Sequence, residues 1–200
     1  FYSDNGSTAV EVALKMAFQY HQQTGAEQRT RFACLQDAYH GDTIGAVSVG
    51  GIDLFHSLYR PLLFDALTLP APLTPDGKEE AECLEQALKL LDQEGDSITA
   101  LVFEPLVQGA AGMKMHSTHY LQRLLHRARE LGILLIADEV AVGMGRTGTL
   151  FAMSQVNIAP DFLCLAKGLA GGYLPLAATL TTEEVYEAFL GEATSTKQLF

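Results

Sequence analysis

Two stretches of this 200-residue chain are apolar at every position: Ile133-Leu134-Leu135-Ile136-Ala137 and Phe162-Leu163-Cys164-Leu165-Ala166. A strand that faces water on one side alternates apolar and polar residues. A strand with no polar position has no face to offer water and needs cover on both sides. That is the setting of parallel strands between two helical layers. Each stretch runs directly into an ionisable side chain, Asp138 in the first case and Lys167 in the second. In open parallel sheets, ligands collect at the carboxyl ends of the strands, so these two residues are the first candidates for chemistry.

The rest of the chain extends the alternation of strand and helix. Residues 7–23 carry Val10, Ala13, Leu14, Ala17 and Phe18 at helical spacing, with Gly25 as a stop. Residues 31–36 and 66–69 read as short strands, and Pro70, Pro72 and Pro75 follow as a surface connection. Residues 78–93 form a helix with Leu84, Ala87, Leu88 and Leu91 inward, and residues 99–103 a strand. Glycines punctuate residues 39–51, which read as a loop with one helical turn, and 108–115, which read as a loop. A helix over 119–130 is stopped by Gly132, residues 176–180 give a third apolar strand, and 182–190 a helix capped by Thr181 or Thr182. The pattern predicts an α/β fold, a mostly parallel sheet between helical layers. Phe1-Tyr2-Ser3 reads as the tail of a strand, and residues 192–200 stop inside a structured-looking pattern, so the chain is read as an internal segment of a longer protein.

Composition narrows the function classes. The chain has 13 Lys and Arg against 24 Asp and Glu, a net charge of -11, which disfavours nucleic acid and anionic membrane surfaces as partners. Hydrophobic residues at 48% against 18% charged support a sizeable core rather than disorder. The apolar runs at 98–103 and 131–137 are far too short to span a bilayer. Cys34, Cys83 and Cys164 are odd in number and scattered, which fits a reducing cytoplasm rather than a disulfide framework or zinc site. His21, His56, His116, His119 and His126 show no metal-ligand spacing and read as surface or structural residues, so no metal is expected.

Five places at strand ends carry candidate chemistry. Asp4-Asn5-Gly6-Ser7-Thr8 precedes a helix, whose first N–H groups favour an anion; alone, it also reads as an ordinary cap. Asp138-Glu139 closes a buried strand, where a carboxylate caps a turn, holds a metal or meets a buried cation. Lys167 sits among Gly168, Gly171 and Gly172; a desolvated lysine there becomes a nucleophilic amine for Schiff-base chemistry, whereas the plain alternative is a solvated tip. Tyr39-His40-Gly41 offers an aromatic that stacks on a flat ring or merely anchors a loop, and Glu104 follows the 99–103 strand as a weaker candidate. In combination, an anion cradle, a stacking aromatic, a buried acid and an activated lysine are what pyridoxal phosphate requires.

At these residues the chain resembles the class III aminotransferases, pyridoxal-phosphate enzymes of the aspartate-aminotransferase-like fold. The resemblance rests on Leu135-Ile136-Ala137-Asp138-Glu139-Val140, on Gly145-Arg146-Thr147-Gly148 and Phe151, and on Lys167-Gly168 with Gly171-Gly172, Lys167 standing 29 residues after Asp138. Gly6-Ser7-Thr8-Ala9-Val10-Glu11, Tyr39-His40-Gly41-Asp42-Thr43, Phe103-Glu104-Pro105-Leu106-Val107-Gln108-Gly109 and Gly172-Tyr173-Leu174-Pro175 resemble most the branch of biotin synthesis. That branch aminates 8-amino-7-oxononanoate to 7,8-diaminononanoate with S-adenosylmethionine as donor. The alternative is another class III aminotransferase acting on an ω-amino acid, ornithine-type substrate or amine. An interaction subunit that keeps the fold without the catalysis is the non-enzymatic reading.

The resemblance implies roles residue by residue. Lys167 would bond covalently to the cofactor and, with Asp138, carry the catalysis. Asp138 would hold the pyridinium nitrogen, and Gly6 and Ser7 the phosphate. Tyr39 would stack on the ring and face the substrate, and Glu104 would help set the substrate pocket together with Lys167. Arg146 would organise the loop after Asp138. Val142, where a hydroxyl residue is usual, and Asn5, where a small residue is usual, depart from the pattern. The resemblance further implies a cytoplasmic homodimer, with residues 1–200 as the large cofactor-binding domain lacking an N-terminal segment and a C-terminal small domain. A partner threonine, a C-terminal arginine and N-terminal aromatics of the site would lie outside this chain, which alone would be a poor catalyst.

Overall fold

A computed structural model describes residues 1–52, 57–72 and 77–191. His56, Pro75 and residues 192–200 lie outside the described residues. In chain order the elements are β1 (Tyr2–Ser3), α1 (Gly6–Thr24), β2 (Arg31–Leu35), α2 (Ile44–Ser48), β3 (Ala66–Leu69), α3 (Gly77–Glu94), β4 (Ile98–Phe103), β5 (Val107–Gln108), β6 (Lys114–Met115), α4 (Thr118–Glu130), β7 (Leu134–Asp138), α5 (Met153–Val156), β8 (Phe162–Leu165), β9 (Ala177–Thr181) and α6 (Glu183–Ala188).

Seven strands form one sheet in the order β1-β9-β8-β7-β4-β2-β3. The five from β8 to β3 are mutually parallel, while β9 runs antiparallel to both β8 and β1. The apolar stretch expected at 176–180 is therefore shifted by one residue and is not a parallel strand. It turns back beside β8 and so gives β1 the direction of the parallel set.

The strands are apolar throughout because both faces are covered. In β4, Leu101 and Phe103 pack with α3, α4 and α5, while Ala100 and Val102 face α1. Ala33 and Leu35 of β2 and Leu135 and Ala137 of β7 join the first side; Phe32, Cys34 and Ile136 join the second. Period-2 alternation thus divides one hydrophobic run between two cores. The helices follow the expected faces: Leu84, Ala87 and Leu91 of α3 are buried, and Gly25 ends α1 in a left-handed conformation at φ 86°. Residues 108–115 differ from the expected loop: β5 and β6 pair antiparallel as a small hairpin. Two-residue strands are too short for periodicity to reveal.

Because β1, β2, β4, β7 and β8 run the same way, their carboxyl ends lie on one edge of the sheet. The segments leaving that edge begin with Asp4, Gln36, Glu104, Glu139 and Ala166. Among the described residues, no helix is long and apolar enough to cross a membrane.

Candidate active site

A cavity of ≈ 1220 Å³ opens at this edge, and Gly6, Ser7, Tyr39, Glu104, Asp138 and Lys167 all line it. The five candidate places, 163 positions apart at the extremes of the sequence, are brought to one site by strand direction.

At one wall α1 begins. Its cap is Asn5 rather than Ser7 or Thr8: Asn5 Oδ1 accepts the Thr8 N–H at 3.0 Å, and Thr8 Oγ1 accepts the Asn5 N–H at 3.3 Å. The first N–H groups of a helix have no intrahelical acceptor. With that of Thr8 capped, those of Gly6 and Ser7 remain for an anion, at the positive end of a 19-residue helix. Gly6 is required here by crowding, since a Cβ would stand 2.6 Å from Val140 Cγ1. The Ser7 hydroxyl accepts the Thr43 N–H at 3.1 Å and lies 2.9 Å from Thr43 Oγ1. Four residues on, Glu11 Oε1 accepts the N–H groups of Gly45 and Ala46 at 2.7 and 3.2 Å. Ser7 and Glu11, one turn apart, therefore hold the loop after β2 against α1.

Asp138 is the last residue of β7 and is buried. Its Oδ1 accepts the Val140 N–H at 2.9 Å and its Oδ2 the Nδ1–H of His40 at 2.8 Å. A carboxylate has roughly four acceptor positions, so capacity remains on the cavity side. Glu139 turns away from the cavity, where its two oxygens accept the N–H groups of Ala152 and Met153, each at 2.8 Å. Burial pushes its carboxyl above the usual range, opposed by those two donors. Glu139 is thus engaged with the start of α5 rather than placed beside Asp138 at the cavity, and no group of three or more metal-ligating side chains occurs among the described residues.

Glu104 is buried and links two walls: Oε1 accepts the Tyr39 N–H at 3.2 Å and Oε2 the Gly109 N–H at 3.0 Å. Burial raises its carboxyl above the ordinary value; His40 and the two N–H donors oppose the rise, and Asp138 adds to it. The Tyr39 hydroxyl donates to Asp42 Oδ2 at 3.0 Å. Burial raises its phenol, and the Asp42 carboxylate adds to the shift.

Lys167 begins a 3₁₀ turn one residue after β8 and has φ 44°, in the left-handed region. A non-glycine residue held there costs about 1–3 kcal/mol and persists only where its surroundings impose it. Extended Ala166 before it, at φ -161° and ψ -150°, delivers the chain into that turn. A desolvated lysine is expected here from the sequence, whereas Lys167 is exposed among the described residues. Arg146 also differs from expectation. It is exposed on the cavity wall without a hydrogen bond among the described residues, and the 145–150 loop is organised instead by backbone bonds from Gly148 to Gly145 and from Gly145 to Leu150.

His40 is the site residue that sequence reasoning passed over. Its ring is fully buried, and with Nδ1–H given to Asp138 the Nε2 lone pair has no partner among the described residues. It lies 98 positions from Asp138, and β4 separates their strands in the sheet, so no spacing in the chain announces the contact. The available signal was its place one residue after the candidate ring-stacking Tyr39.

The chain matches the aminotransferase class-III family over residues 1–197. It belongs to the class III aminotransferases. This class III chain is 50% identical over 208 residues to the adenosylmethionine-8-amino-7-oxononanoate aminotransferase of Geobacter sulfurreducens, covering 100% of itself and 46% of that protein. It superimposes with a TM-score of 0.91 and 43% identity on the crystal structure of the enzyme of that name from Methanocaldococcus jannaschii, covering 100% of itself and 45% of that chain. An amine transaminase from an uncultivated Pseudomonas species, in a form with bound PLP, gives 0.88 at 40% identity over 94% of this chain and 44% of its own. The class III chain therefore spans under half the length of the relatives it matches.

Proposed function

We propose that the full-length protein is a pyridoxal-phosphate-dependent aminotransferase that converts 8-amino-7-oxononanoate to 7,8-diaminononanoate with S-adenosylmethionine as amino donor. The observation that carries this reading is the lining of one cavity by the unpaired N–H groups of Gly6 and Ser7, the buried Asp138 and the left-handed Lys167. The donor set fits the cofactor. An anion cradle, an acceptor for a ring N–H and a primary amine are present, and none is used up by other contacts among the described residues.

When bound, the cofactor supplies an aldehyde carbon that bonds to amines and a protonated ring that takes up electron density. Gly6 and Ser7 would hold the phosphate with their N–H groups. Asp138 would accept the ring N–H and keep the proton there, and His40 holds Asp138 in place. Tyr39 offers an aromatic face and Glu104 fixes its loop. Lys167 Nζ is the primary amine that would hold the aldehyde carbon, and it would be the base placed to move a proton at the donor's α-carbon. Water exclusion around Lys167 falls to residues beyond this chain: a second copy of the protein, in a cytoplasmic homodimer, and the segments that flank the large domain described here.

The amine transaminase at 40% identity favours a second reading, an amine or ω-amino acid as donor. Donor profiling of the full-length enzyme decides. Amination of 8-amino-7-oxononanoate with S-adenosylmethionine supports the first reading. Activity confined to β-alanine, ornithine or simple amines overturns it in favour of the second. Lys167→Ala should abolish the covalent attachment of pyridoxal phosphate that borohydride reduction and mass spectrometry detect in the parent.

A further inference from the structure

The hairpin β5–β6 supplies part of the cavity wall through Val107, Gly109, Ala110, Met113 and Met115. Exposure alternates sharply over residues 113–116, at and around its second strand. Met113 is 71% and Met115 51% exposed, whereas Lys114 is 6% and His116 3% exposed. Met113, left-handed at φ 60° just before the strand, and Met115 within it line the cavity, while Lys114 and His116 are buried in the protein. Lys114 Nζ donates to Asp37 Oδ2 at 3.0 Å; the lysine side chain is 4% exposed and that of Asp37 40%. Asp37 stands two residues before Tyr39 and is itself left-handed at φ 61°. A second link runs the same way: His116 Nε2–H donates to Gln108 Oε1 at 3.0 Å, and Gln108 Nε2 donates to the Gln36 carbonyl at 3.0 Å. Asp37, Lys114, Gln108 and His116 do not line the cavity. The hairpin wall and the Tyr39 loop are thus joined behind the site by polar contacts that touch no ligand.

We propose that the Lys114–Asp37 ion pair is a positioning device that sets the separation of the Met113/Met115 wall from the Tyr39 loop, and so selects the aliphatic chain of the substrate. A buried ammonium needs its carboxylate at hydrogen-bond distance, and leaving it unpaired is costly. An apolar side chain of the same length would fill the space and let the two walls slide. The pair therefore fixes a distance where packing alone fixes only a volume. This inference rests on the transaminase reading and adds to it the residues that determine the substrate's chain length.

The test uses the full-length protein with Lys114→Met, Lys114→Arg and Asp37→Asn. Amide hydrogen exchange without cofactor is one readout, and KM and kcat for keto-acid acceptors of different chain length are the other. Lys114→Met should speed exchange in residues 36–43 about tenfold while β4 and β7 keep their protection, since local opening is read separately from global unfolding. It should also raise KM for the preferred acceptor about tenfold, with kcat within about twofold, the mark of lost binding rather than lost chemistry. Discrimination between chain lengths should narrow, and Lys114→Arg should restore most of each effect. Unchanged exchange and KM in Lys114→Met overturns the proposal, and so does a uniform rise of exchange across the sheet. Should Lys114→Met fail to fold, Asp37→Asn decides by the same criteria. If the parent transaminates no acceptor, the transaminase reading fails, and the exchange data alone judge whether the pair positions the loop.

Discussion

Asp138 and Glu139 are adjacent acids with unrelated tasks. Strand alternation turns the first to the cavity and the second to the start of α5, where it serves as the acceptor that Ala152, with no side-chain hydrogen-bond acceptor of its own, cannot provide. The sequence exposed both as a pair of acids after an apolar strand but could not say which faced the ligand. His40 was less visible still, because its importance lies in one contact across the sheet. A hydrogen bond to a charged group contributes about 1.5–3 kcal/mol, so His40→Phe, which keeps the ring's bulk and removes the donor, should destabilise the full-length protein by about that much. Pyridoxal phosphate should bind more weakly as Asp138 loses its brace. His40→Asn offers an amide N–H in place of Nδ1–H and should lose less on both counts. Equal melting temperatures and dissociation constants for the parent and His40→Phe would contradict this.

Among the elements, α1 joins fold to site most directly. Its apolar face, Ala9, Val10, Ala13, Leu14 and Ala17, packs on the sheet, while its capped first turn forms the cradle. Thr179 Oγ1 and Cys164 Sγ both donate to the Ala9 carbonyl, at 2.8 and 3.5 Å, tying that turn to β8 and β9. The periodicity of 7–23 made the helix legible, but not the identity of its cap, because Asn5, Ser7 and Thr8 are all competent. Asn5→Ala should cost about 1 kcal/mol, and Asn5→Ser, an equally good cap, only a few tenths. Denaturant unfolding of the two variants checks the order. The hairpin at 107–115 marks the limit of pattern reading. It is tied to the rest of the fold by Lys114 and Gln108 bonding to Asp37 and Gln36, far away in the chain, not by local alternation.

At the scale of the whole molecule, the buried polar layer behind the hairpin should make stability depend on pH. Burial, with Lys114 nearby, lowers His116 from 6.5 to about 4. Its Nε2–H is given to Gln108, and its buried Nδ1 has no partner among the described residues. The folded state therefore keeps the ring neutral where the unfolded chain protonates it. Stability is full above about pH 6.5 and falls as pH drops toward 4, by as much as about 3 kcal/mol if the shift acts alone. His116→Gln should flatten the stability curve between those values, and urea titrations at pH 7 and pH 5 measure it. The sequence by itself determined the class of fold, since strands without a polar position can only lie between two covering layers. It also determined which ionisable residues stand at strand ends, because a strand's last apolar residue is visible in one dimension. Only the tertiary structure decided that β9 reverses, that Asn5 rather than Ser7 is the cap, that Lys167 is exposed in this chain, and that His40 and Lys114 brace the site. Apart from the Asn5 cap, which bonds within its own turn, those outcomes depend on contacts between segments tens of residues apart, and local propensity carries no information about which distant partner a polar side chain will meet.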